Sequence, residues 1–101
     1  MPGTLLLLIE PDSRTAARLS TVLERAGYRV SVAPSGKEGL INAWRDQPGG
    51  IILELALPDL PASDLLGKLR QDRRTMRTPI FGLTRLRDPC AIAAAMEAGL
   101  N

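Results

Sequence analysis

Two kinds of apolar pattern alternate along this chain. Short, nearly continuous apolar runs (5–9, 51–53 and 80–83) are separated by longer segments in which apolar residues recur at helical spacing. Continuous runs suit strands covered on both faces, and periodic segments suit helices that pack on them through one side. The alternation predicts βα units wound into a parallel sheet, and four units are read. Residues 4–9 form the first strand. Its helix is capped by Asp12 or Ser13, carries Ala16, Leu19, Val22, Leu23 and Ala26 on one face, and stops at Gly27. Residues 28–33 form the second strand. Ser35, with Glu38 three positions on, opens a helix bearing Leu40, Ile41 and Trp44, and Pro48, Gly49 and Gly50 close that unit. The third strand is 51–54, with a helix at about 62–71 packing through Leu65, Leu66 and Leu69. The fourth is 80–83, and Asp88 before Pro89 starts a helix with Ile92, Ala95 and Met96 as its stripe until Gly99.

Composition narrows the reading. A chain of 101 residues with 45% hydrophobic content is a single domain with one core. Only 3% is aromatic (Tyr28, Trp44 and Phe81), so aliphatic side chains fill that core and platforms for stacking nucleic-acid bases are scarce. The formal net charge of +2 comes from interspersed charges and names no partner. One cysteine, Cys90, and no histidine exclude an internal disulfide and leave a zinc site almost without ligands. A reducing cytoplasm is the expected location. The apolar run at 5–9 is too short to span a membrane and leads directly to Glu10 and Asp12.

The most informative stretch is 51–59, Ile-Ile-Leu-Glu-Leu-Ala-Leu-Pro-Asp. A parallel strand would deliver Glu54 to the rim of an open α/β sheet, where such folds bind ligands. The run resembles the third strand and following loop of two-component response regulator receiver domains. The likeness extends along the chain through the strand-1 acids, Ala26-Gly27-Tyr28, Leu57-Pro58-Asp59, Thr78-Pro79-Ile80, Thr84 and Glu97-Ala98-Gly99. The resemblance implies a flavodoxin-like doubly wound parallel sheet, with order 2-1-3-4 present and strand 5 and the last helix missing. Residues 1–101 would then be one receiver-like domain, incomplete at its C-terminus.

That family gathers an acidic pair after strand 1, an acceptor aspartate after strand 3, a Thr or Ser after strand 4 and a lysine after strand 5. Position by position, the acidic pair falls on Glu10 and Pro11, the acceptor on Glu54 and the switch residue on Thr84. Pro11 offers no side-chain oxygen, and Asp12, one place later, suits a helix N-cap. Magnesium wants several oxygens in a near-octahedral set, so Mg²⁺ binding is expected to be weak or absent and no cofactor is assigned. Glu54 is one methylene longer than aspartate, about 1.5 Å of added reach, which in-line phosphoryl transfer tolerates poorly. Ala56, Pro61 and Ala62 depart further from the family's loop, and the chain ends before its lysine.

Two readings of Glu54 stay open. It mimics the phosphorylated state through Thr84, or it is a vestige, since a phosphoryl group supplies about two charges and three acceptors against one and two for glutamate. Arg70, Arg73, Arg74 and Arg77 are expected to decorate a polar helix end, with a nucleic-acid surface as the less favoured alternative. Arg85 and Arg87 flank the strand-4 exit and suit protein recognition or pairing with Glu54. Cys90 is expected to be a packing residue rather than a reactive thiol, and Trp44 a core anchor. The expectation is a non-enzymatic, phosphorylation-independent protein-interaction module of pseudo-receiver type. Its partners would be an output domain, a histidine kinase or a second copy, with no membrane and nucleic acid disfavoured. The alternatives are a phosphorylatable phosphorelay receiver with a non-standard acceptor, and an α/β enzyme using Glu10 and Glu54 as an acid pair. Without a strand 5, one sheet face should be half bare, exposing strands 1 and 3 and helix 1, and strand 4 should be an open edge that favours a homodimer or a longer chain.

Overall fold

The computed structural model describes residues 3–83 and 89–101. Eight elements alternate: β1 (Leu5–Ile9), α1 (Ser13–Arg25), β2 (Arg29–Ala33), α2 (Gly36–Asp46), β3 (Gly50–Glu54), α3 (Ala62–Gln71), β4 (Ile80–Leu83) and α4 (Pro89–Ala98). The strands form one parallel sheet in the order β2-β1-β3-β4. The alternating pattern predicts the parallel βα sheet, and the receiver resemblance implies its doubly wound, flavodoxin-like order.

Local chemistry sets the helix boundaries. Asp12 caps α1 by accepting from Thr15 N–H, and Ser35 caps α2 by accepting from Glu38 N–H. Beyond α1 the backbone turns left-handed at Gly27, φ 100°, a conformation that glycine adopts without strain. The second helix ends at Asp46, just before Pro48. Gln47, not a glycine, takes the left-handed position at φ 45° and returns its N–H to the Ala43 carbonyl.

The register sorts the strand residues by face. Leu7, Ile9, Ile51, Leu53 and Ile80 point to the side of α2 and α3, where they join Leu65, Leu66 and Leu69 in the main core cluster. Alternate residues face the α1 side, and there the cover is thin. Leu8 is sealed, but Phe81 is 55% exposed and Val32 42%, with Val22 of α1 at 63%. The expected bare face exists, yet its location differs. Its most exposed apolar side chains lie on α1, β2 and β4, whereas Leu6 and Ile52 of β1 and β3 keep partial cover. The outer edge of β4 is also not open along its whole length. Asn101 accepts from Ile80 N–H through Oδ1 at 2.7 Å and donates its own N–H to the Ile80 carbonyl at 2.8 Å.

Three side chains depart from their expected roles. Trp44 is half-buried outside the core cluster, with the Arg74 guanidinium 5.1 Å from its ring centroid. Cys90, in the first turn of α4, is exposed rather than packed. Arg70 is no surface decoration. It reaches inward to the carbonyls of Thr75, Met76, Thr78 and Gly99.

Candidate functional site

The carboxyl ends of β1 and β3 are adjacent, with Ile9 opposite Leu53, so the next residues, Glu10 and Glu54, stand side by side on one face. Both are almost sealed from solvent, at 1% and 2% exposure. Buried carboxylates need hydrogen bonds, and each turns back to a backbone donor two residues on. Glu10 Oε2 accepts from Asp12 N–H at 3.2 Å, and Glu54 Oε1 accepts from Ala56 N–H at 2.9 Å. The strand ends beneath them are fixed by the ladder, through Glu10 N–H to Ala33 O and Leu55 N–H to Leu83 O, both 3.0 Å.

Pro11, between the acidic positions, supplies no donor or acceptor from its side chain. Asp12 faces the other way, its Oδ2 accepting from both Thr15 N–H and the Thr15 hydroxyl. Its predicted role as a helix cap is therefore what the geometry provides. Among the described residues, no group of three or more Asp, Glu, His or Cys side chains is placed to hold a metal ion. Thr84, Arg85 and Arg87 lie outside the described residues.

One functional contact at this rim was invisible in local sequence. Asp59, in the loop after β3, accepts from Gly36 N–H through Oδ1 and from Lys37 N–H through Oδ2, each at 2.9 Å. The Lys37 bond first, and the Gly36 bond with it, hold the Asp59 carboxyl below its ordinary 3.8. This loop carboxylate thus caps α2 alongside Ser35 and ties the β3 loop to the helix behind it. Its signal, the Leu-Pro-Asp triplet, marks the loop but not the helix it serves.

The response regulator receiver domain family matches residues 6–101. The transcriptional regulatory protein AfsQ1 of Streptomyces coelicolor is 35% identical over 96 residues, covering 95% of this chain and 41% of that protein. The DNA-binding dual master transcriptional regulator RpaA of Synechocystis is 37% identical over 81 residues, covering 80% of this chain and 34% of that protein. The chain thus spans well under half the length of these curated relatives. Among solved structures, a putative response regulator from Chloroflexus aurantiacus superposes with a TM-score of 0.90 at 35% identity, covering 98% of this chain and 81% of that one. The receiver domain of a sensor histidine kinase from Pseudomonas aeruginosa, with magnesium coordinated in its active site cleft, matches at TM-score 0.90 and 25% identity over the same shares. With its sheet order, its rim acids and these matches together, the chain belongs to the response regulator receiver domain family of two-component signalling.

Proposed function

We propose that this receiver domain works without phosphorylation, as a protein-interaction module whose acceptor position is held by Glu54. The observation that carries the reading is the pair of buried carboxylates folded back onto their own loops, Glu10 onto Asp12 N–H and Glu54 onto Ala56 N–H, with Pro11 following Glu10 in the chain. Magnesium does not fit this donor set. Pro11 removes one oxygen ligand, Asp12 is committed to α1, and each glutamate already spends an oxygen on a backbone amide. The Pseudomonas receiver domain has magnesium coordinated in its active site cleft.

The partners that fit are those of the family: an output domain, a histidine kinase or a second copy. Glu54 contributes one carboxyl group at the rim, which supports either a constitutive mimic acting through Thr84 or a silent vestige. Manganese serves as a paramagnetic probe of the magnesium site. The Glu54 and Ala56 amide resonances should keep their linewidths at manganese concentrations well below those that broaden exposed carboxylate neighbours such as Glu24. Selective broadening at Glu54 and Ala56 would restore the metal-dependent, phosphorylatable reading.

A further inference from the structure

A second site lies at the opposite pole of the sheet. The loop from α3 to β4 and the residue before β3 enclose an open cleft of about 620 Å³, lined by Gly49, Arg73, Arg74, Met76, Arg77, Thr78 and Pro79. Among the described residues, no acidic side chain lines it. The cleft sits at the amino ends of β3 and β4, one strand length, roughly 13–16 Å, from Glu54. Its volume is in the range that small-molecule sites occupy.

The charges here are unevenly committed. Arg74 is held by Asp72, with Nε to Oδ1 at 2.9 Å and Nη2 to Oδ2 at 2.8 Å, and lies over the Trp44 ring. Arg73 and Arg77 are exposed and make no side-chain hydrogen bond or ion pair among the described residues. Behind the same loop, Arg70 takes the carbonyls of Thr75, Met76 and Thr78, adding a further positive charge beneath the wall. Clustered guanidiniums repel unless an anion joins them, and their forked donors match phosphate and carboxylate oxygens.

We propose that this cleft binds a compact small molecule bearing two or more phosphate groups. Compactness follows from the placement. The two uncommitted arginines, Arg73 and Arg77, fall within five residues on a single loop beside the Asp72-bound Arg74, so the complementary charge must be compact. Carboxylates on one side of an extended acidic peptide recur only about every 7 Å. A nucleic-acid strand gains affinity by neutralising many phosphates along a track, and the neighbouring Arg45 is already paired with Asp46 at 2.8 Å. Met76 and Pro79, both exposed, give the ligand's uncharged part an apolar floor.

Sodium tripolyphosphate, titrated by calorimetry with Trp44 fluorescence followed in parallel, is the probe. Saturable binding is expected, and sodium chloride at matched ionic strength should not reproduce it. The Arg73→Ala/Arg77→Ala double variant should bind roughly tenfold more weakly or worse. Glu54→Gln should bind as the parent does, which separates this site from the rim. The proposal is overturned if sodium chloride gives the same response, if the double variant binds equally well, or if an oligothymidylate or a polyglutamate peptide binds more tightly than tripolyphosphate.

Discussion

Arg70, on the last turn of α3, grips the backbone carbonyl of Gly99 with two donors, Nε at 3.0 Å and Nη2 at 2.8 Å. Nη2 also reaches Asn101 Oδ1 at 2.8 Å, and Nη1 takes the Thr78 carbonyl at 2.7 Å. One guanidinium therefore joins α3, the loop into β4 and the end of α4. Lysine has three donors on a tetrahedral ammonium and cannot reproduce this planar fork. Arg70→Lys should lower stability by about 1–3 kcal/mol in urea unfolding, with Arg70→Ala at least as damaging. Amide exchange should quicken first in α4. Unchanged protection there in both variants would show that the clamp is incidental.

The packing of α2 on β1 depends on a missing side chain. A Cβ at Gly39 would meet three atoms of the fully buried Ile9, at 2.5, 2.8 and 3.2 Å. Ile9 is β-branched and has little room to turn. Gly39→Ala should gain about 1 kcal/mol of helix propensity and lose more to overpacking, typically about 1–3 kcal/mol. A net loss of stability in denaturant melts is expected, and a more stable variant would mean that Ile9 can yield.

Asp59 gives the fold a pH dependence of definite sign. Its carboxyl is held below the ordinary 3.8 by the Lys37 and Gly36 amides, so the folded state favours the ionised form. That contribution is complete above the unfolded-state value near 4 and is lost as pH falls through the lower folded-state value. Asp72, lowered to about 2 chiefly by its side-chain bond to Arg74, fades over the window from about 4 down to about 2. Both carboxylates are exposed to screening, so the effect should be modest. Asp59→Asn should flatten the acid limb of a stability profile measured between pH 2 and 5, roughly the span of these titrations. A parallel, merely shifted profile would contradict the assignment.

The thinly covered α1 face predicts self-association. Val22, Val32 and Phe81 are uncovered there, and burying such side chains is worth about 1.5–3 kcal/mol each. The 101-residue chain should associate at micromolar concentration, and Val22→Lys with Phe81→Lys should return it to a monomer in sedimentation velocity. A parent chain that sediments as a monomer and unfolds cooperatively well above room temperature would contradict this.

Legibility in the sequence followed range. The parallel βα alternation and the Asp12 and Ser35 caps were readable because each rests on local pattern, whereas the strand order that sets Glu10 beside Glu54 was legible only through the resemblance to receiver domains. Asp59 acting on Gly36, Arg70 on Gly99 and Arg74 on Trp44 were not, because they join positions 23, 29 and 30 residues apart in sequence. Exposure was the other blind spot. Periodicity placed Ile41, Val22 and Met96 on plausible inner faces, but only the actual packing of each helix decides which side is covered.

Whether Glu54 accepts a phosphoryl group is decided by intact mass. The chain is incubated with magnesium and a small acyl-phosphate donor, beside a Glu54→Ala control and a receiver known to accept phosphate from that donor. Without phosphoacceptor chemistry, the parent chain keeps its mass while the reference receiver gains a phosphoryl group. A gain of one phosphoryl group on the parent chain that disappears in Glu54→Ala would show that Glu54 is a working phosphoacceptor.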